Sequence, residues 1–200
     1  MELKERINGI VKTSNHMVII GSRGEAKTSL GFYLLELHEK ANRDIFIYNH
    51  PQPKLLPKWI KNINKLEFLP ENSCVLIDES AQDFDQYSYN KRTNIYLRNL
   101  LTIARHKNQS YIFIALTTNF INLNFLHMIN VWLFKQPTLF QREEERRIIK
   151  QAYGKIQEEI KKEEFYFLDD KTWCKGKFKC PEWYNEKLSK AYAKIDAEEI

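Results

Sequence analysis

Two hundred residues with a formal charge of +5 and a pI near 8.9 suit one α/β domain with a core of useful size. With 43% hydrophobic and 28% charged residues, no low-complexity tract and no internal repeat, disordered, fibrous and repeat architectures are excluded. No apolar run is long enough to span a bilayer, and Met1 to Arg6, with charges at Glu2, Lys4, Glu5 and Arg6, is unlike a signal peptide, so a soluble product is expected. Cys74, Cys174 and Cys180 make no disulfide framework and suggest a reducing compartment. Cys174 and Cys180 have no histidine near them and read as packing residues rather than zinc ligands.

In chain order, Ile7 to Val11 reads as a short strand or turn leading in. Met17 to Ile20 is an apolar run of strand length, followed by Gly21-Ser22-Arg23-Gly24-Glu25-Ala26-Lys27-Thr28 and Ser29. That loop fits the phosphate-binding template G-x-x-x-x-G-K-[ST] except that Ala26 stands for the second glycine. Such a loop points backbone N–H groups and a helix N-terminus at phosphates, with Lys27 on the outer phosphates and the Thr28 hydroxyl on Mg²⁺. If position 26 is already helical, its φ is negative and the methyl is tolerated. A glycine-bearing turn with an incidental Lys-Thr is the alternative. Leu30, Tyr33, Leu34, Leu37 and His38 then recur at helical spacing.

Asp44 to Tyr48 reads as a second strand, and His50 as a loop residue among prolines 51, 53 and 57. Lys58 to Ile63 is a short amphipathic segment; Lys54, Lys58, Lys61 and Lys65 around Trp59 can be a nucleic-acid contact or a solvated face. Cys74 to Ile77 is a third apolar run and ends in adjacent carboxylates, Asp78 and Glu79. Two acids at the end of a buried strand are costly unless a cation lies there. In a nucleotide site Asp78 serves Mg²⁺ and Glu79 polarises the attacking water.

Gln82 to Asn94 reads as a polar loop close to the site. Ile95 to Ile103 has helical periodicity, and Tyr111 to Leu116 is another buried strand, closing on Thr117-Thr118-Asn119. Thr118 or Asn119 at that tip can bond the γ-phosphate or the attacking water, or can simply cap a helix. Repetition of strand, polar tip and helix predicts a parallel sheet with its chemistry at the strands' C-terminal ends. Asn122 to Ile129 predicts a short helix and Val131 to Phe134 a fifth strand. The charged stretch from Gln141 to Glu164 reads as a helix with a solvated face. Phe165 to Leu168 opens a lysine-rich hairpin with Trp173 and Phe178, a second nucleic-acid candidate, and Glu186 to Ile195 a last helix.

Taken together, Gly21 to Thr28, Leu76 to Glu79 and Ile103 to Asn119 resemble the FtsK/HerA superfamily of DNA-pumping ATPases, in particular the genome-packaging ATPases of membrane-containing viruses. They are also similar to the zonula occludens toxin-like assembly ATPases of filamentous phages. The resemblance covers residues 15 to 140. It implies a RecA-like P-loop NTPase of the ASCE type: a mainly parallel sheet flanked by helices over residues 1–160, with 161–200 as a C-terminal hairpin and helix appendage packed on the same domain.

The resemblance further implies a homo-oligomeric ring, pentamer or hexamer, with ATP and Mg²⁺ between subunits and double-stranded DNA threaded through it. Partners at a viral capsid or membrane vertex follow, in the cytoplasm of an infected host cell or on the virion. By motif, Lys27 is the phosphate lysine, Thr28 and Asp78 the magnesium residues, and Glu79 the catalytic base. Arg105 acts on the neighbour's ATP, with Arg98 the rival. The family commonly has Gln where this chain has Thr118. A P-loop nucleoside kinase is the other enzymatic reading. The absence of an Asn-Lys-x-Asp segment argues against a GTPase.

Overall fold

The computed structural model describes residues 3–78, 99–119, 121, 123–185, 187–188 and 191. Glu79, Arg98, the polar loop 82–94 and most of the last helix expected at 186–195 lie outside them.

Among the described residues, eight strands form one sheet. In chain order they are β1 (His16–Ile20), β2 (Asp44–Tyr48), β3 (Ile60–Ile63), β4 (Ser73–Asp78), β5 (Ser110–Ala115), β6 (Val131–Phe134), β7 (Glu164–Leu168) and β8 (Trp173–Lys177). Across the sheet they run β3-β2-β4-β5-β1-β6-β7-β8. The first six are parallel, while β7 and β8 add an antiparallel hairpin to the edge of β6. The strand pattern explains the architecture. Every residue of β1, β4 and β5 is buried, as expected of parallel strands covered on both faces.

Alternate residues of β1 serve opposite layers. Met17 and Ile19 join a core with α2 (Lys27–Lys40) through Leu30, Leu34 and Leu35, together with Phe165, Phe167 and Phe178 from the C-terminal part of the chain. Val18 faces the other layer with Leu101, Ala104, Phe125 and Leu126, supplied by helical residues 99–104 and by α3 (Leu123–Leu126). Val18, Ile19 and Ile20 are fully buried, each worth about 1.5–3 kcal/mol.

Three elements differ from the sequence expectation. Residues Leu3–Val11 are a helix, α1, not a strand or turn: Leu3, Ile7, Ile10 and Val11 recur at helical spacing, and Leu3, Ile7 and Ile10 pack on the core. Arg6 on α1 is bonded to Asp169 and, at 2.7 Å, to Asp170 in the β7–β8 turn. The segment around Ile60 is strand β3, laid parallel beside β2. The charged stretch is two helices, α4 (Leu139–Glu144) and α5 (Arg147–Gly154), separated by Glu145 and Arg146 with ψ of 160° and 146°.

At the strands' N-terminal ends, Asn42, Asn72 and Asn108 all take left-handed φ values of 59°, 56° and 49°. Asparagine tolerates that region better than most residues. Asn72 Nδ2 donates to the Asn42 carbonyl at 3.0 Å, and Asn108 Nδ2 donates to Asn72 Oδ1 at 2.9 Å. The buried Arg43 guanidinium crosses the same end, donating to the carbonyls of Val11, Thr13, Ser73 and Asn108 and to Ser110 Oγ.

Candidate active site

The loop after β1 gathers the residues expected to hold phosphate. Gly21 leaves the strand at φ +156°, and a Cβ there would lie 2.6 Å from Lys135 Cβ. Glycine is therefore required by a close approach of two chain segments. Gly24 has φ +80° with open space around it.

Ala26 corrects the sequence argument: it is not helical but left-handed, φ 58° and ψ 32°, at the N-cap of α2. The template's second glycine would be unstrained there, whereas an L-residue costs roughly 1–2 kcal/mol. Ala26 has no capping side chain, so α2 begins with no side-chain cap, as a helix N-terminus that receives an anion can.

Lys27 is buried, and its ammonium donates to the carbonyls of Gly21 at 2.9 Å and Ser22 at 2.8 Å. The charge thus sits over the mouth of the loop. Thr28 Oγ1 donates to Asp78 Oδ2 at 3.1 Å, joining the first turn of α2 to the end of β4 across fifty positions of sequence. A hydroxyl and a buried carboxylate brought together this way are the oxygen donors a hard divalent cation takes. The fit to Mg²⁺ is therefore good. Ser22 hangs on the opposite wall, its N–H and Oγ–H both donated to the Gln136 carbonyl at 2.9 and 2.7 Å. Ser29 is buried in α2, Glu25 and Ala26 are half-buried, and Arg23 is exposed.

The β5 tip lies at the same end of the sheet but faces protein. Thr118 is fully buried; its amide and hydroxyl are donated to the Glu145 carboxylate, the hydroxyl at 2.6 Å. Exposed Asn119 donates its side-chain amide to the Glu144 carbonyl at 2.7 Å. Arg146 holds the carbonyls of Thr118, Asn119 and Ile121. Arg105 is exposed at the opposite end of the sheet, before the start of β5, where the Lys107 carbonyl accepts from Asn72 N–H. At about 3.3 Å per residue it stands a strand length from its own loop. Glu79 is outside the described residues.

Lys135, Gln136, Glu145 and Arg146 are site-shaping residues that the sequence argument missed. Lys135 had a signal, a lone cation straight after an all-apolar strand; Glu145 and Arg146 were hidden in a run of charge. Lys135 is fully buried, its ammonium donating to the carbonyls of Lys161, Lys162 and Glu164. Burial draws it down to about 8, opposed by Glu25, Glu163 and Glu164, with Lys27 lowering it further.

The tryptophans of both nucleic-acid candidates are engaged by other aromatic rings of the fold. Trp59 packs edge-on to Trp183 at 5.5 Å, and Trp173 lies between Phe134 and Tyr166. Phe178 is buried, and Lys175 and Lys177 are paired with Glu164. Among the described residues there is no cluster of metal-ligating side chains beyond the Thr28–Asp78 pair, and no helix is long and apolar enough to cross a membrane.

A glycine loop running from a buried strand into a helix, an acidic strand beyond, and β5 interposed between the two define the fold of the RecA-like P-loop NTPases. Solved structures place the chain within that fold. The genome packaging NTPase B204 of Sulfolobus turreted icosahedral virus 2, solved with sulfate, matches with TM-score 0.60 and 12% identity over 82% of this chain and 96% of that one. B204 of Sulfolobus turreted icosahedral virus, described as a DNA-packaging ATPase, gives 0.60 and 13% over 86% and 100%. The pCW3 conjugation coupling protein TcpA, solved with ATPγS, gives 0.53 and 13% over 93% and 66%. No family model and no curated protein sequence matches the chain.

Proposed function

We propose that the chain is an ATP-hydrolysing DNA translocase that packages a viral double-stranded genome into a capsid, acting as a ring with ATP between subunits. The observation that carries the nucleotide is the Thr28–Asp78 contact at 3.1 Å beside a lysine folded onto its own loop. The likeness in fold to the packaging NTPase B204 supports the choice of packaging among the tasks of this fold.

In this reading the loop amides and the uncapped start of α2 take the phosphates. Lys27 exchanges its two carbonyl partners for phosphate oxygens, and Thr28 and Asp78 hold Mg²⁺. Bound there, Mg²⁺ neutralises charge developing on the phosphates. Glu79, the residue after β4, accepts the proton of the attacking water. Arg105, a strand length from its own loop, can reach only a neighbour's ATP. The buried Thr118 orients the β5 tip through Glu145, and Asn119 is the exposed polar group there.

The test is steady-state ATP hydrolysis with Mg²⁺, with and without double-stranded DNA, for the native chain beside Lys27→Ala, Glu79→Gln and Arg105→Ala. Lys27→Ala should lose ATP binding. The other two should bind ATP but lose DNA-stimulated turnover. Turnover that ignores DNA and needs a nucleoside acceptor would replace the packaging reading with a kinase.

A further inference from the structure

The phosphate loop is fastened to the C-terminal hairpin through two consecutive residues. Lys135 N–H donates to the Ile20 carbonyl at 2.8 Å, extending the β1–β6 ladder past its last pair. The next carbonyl, that of Gln136, takes both donors of Ser22 at 2.9 and 2.7 Å. The backbone of 135–136 is therefore the wall on which Gly21 and Ser22 hang. Those are the two residues whose carbonyls hold the Lys27 ammonium.

Both side chains leave that wall for the same place. Lys135 Nζ donates to the carbonyls of Lys161 at 3.3 Å and Lys162 at 2.7 Å, and to that of Glu164. Gln136 Oε1 accepts from Ile160 N–H at 2.8 Å. Segment 160–164 is the entry to β7. Its exit partner is present too: the Lys135 ammonium lies 5.2 Å from the Phe178 ring centroid, and Phe178 N–H donates to the Glu163 carbonyl at 2.9 Å. A fully buried ammonium held by backbone carbonyls, with no carboxylate within ion-pair distance among the described residues, is costly to desolvate. An apolar side chain would avoid that cost but leave the carbonyls of Lys161, Lys162 and Glu164 without this donor, so it is the lysine that ties position 135 to the entry of β7.

We propose that Lys135, with Gln136, is a positioning residue for the phosphate loop: it fixes the Gly21 and Ser22 carbonyls to the hairpin, so that nucleotide affinity is set in part by the hairpin. This rests on the nucleotide reading above. By linkage, a bound nucleotide changes the 160–164 segment by the same coupling free energy as that segment changes nucleotide affinity.

The experiment uses the full chain and ATPγS. Affinity is measured by calorimetry for the native chain, Lys135→Met, Lys135→Arg and Gln136→Leu. Amide hydrogen exchange is followed at Ser22 and residues 160–164. Arg43→Lys, at the far end of the sheet, serves as a variant that loosens the fold away from the loop. Lys135→Met should bind ATPγS about tenfold more weakly with faster exchange at Ser22, about 1.4 kcal/mol at that ratio. Lys135→Arg should recover part of the loss, and Arg43→Lys should keep native affinity. If Lys135→Met does not fold, Gln136→Leu should show the same pair of changes in smaller measure. Native affinity and native Ser22 exchange in the folded variants would overturn the proposal and leave the nucleotide reading standing. No ATPγS binding by the native chain would overturn both.

Discussion

Replacing Gly21 by alanine tests the geometry of the loop wall. The added methyl would meet Lys135 Cβ at 2.6 Å and the Lys135 carbonyl carbon and oxygen at 3.0 and 3.1 Å. Carbon atoms rest at about 3.5–4.0 Å, so the two segments must part by roughly 1 Å. Overpacking of this kind costs about 1–3 kcal/mol, and the backbone conformation adds on the order of 1 kcal/mol. A total near 3 kcal/mol corresponds to a fall in Tm of roughly 6–12 °C for a chain of this length. Gly24→Ala is the matched control: its methyl meets nothing within 4 Å, and only the +80° backbone objects. It should lose about 1 kcal/mol and roughly 2–4 °C. Both variants are melted by circular dichroism. Equal melting temperatures for the two would refute the claim that Lys135 makes Gly21 obligatory.

Glu145→Ala strands the buried Thr118 amide and hydroxyl and should cost about 3 kcal/mol, against about 1 kcal/mol for Glu145→Gln, which keeps an acceptor; urea midpoints decide it. Burial first, then Arg43, holds folded His38 at about 3, below its usual 6.5. The unfolded chain therefore takes up that proton first. Stability from this source is complete above pH 6.5 and is lost as pH falls towards 3, on the order of 5 kcal/mol at the limit, and His38→Gln should flatten that stretch of the stability–pH curve. Arg43→Met leaves four carbonyls without their donor and should lower stability by about 3–5 kcal/mol in thermal melts while ATPγS affinity stays native.

Strands β1, β2, β4, β5 and β6 were legible because continuous apolar runs can hardly be anything but buried strands in a chain with this turn chemistry. The meeting of Thr28 and Asp78 was legible too, from residue types at the ends of two such runs. What escaped was decided by tertiary contacts. Ala26 is left-handed because the loop must turn into α2, and nothing in the residue itself says so. The break between α4 and α5 comes from Glu145 and Arg146 turning to grip the β5 tip, while their sequence neighbourhood matches any solvated helix. Strand β3 is four residues with two polar ones, too short for its period to show. The cage around Lys135 depends on carbonyls some thirty positions away, which no local pattern reports.

The three left-handed asparagines at 42, 72 and 108 act at the margin of the sheet farthest from the phosphate loop. Each stands one or two residues before a strand, and two side-chain amides link all three into one line. The effect is that of a datum in a machined part. Strands β2, β4 and β5 start from a common level, and each tip's height above it is then fixed by residue count. Whatever stands at those tips inherits its alignment from asparagines that touch none of it. A shortened or lengthened strand would therefore displace its tip by about 3.3 Å per residue, with no slack at the base to absorb the error.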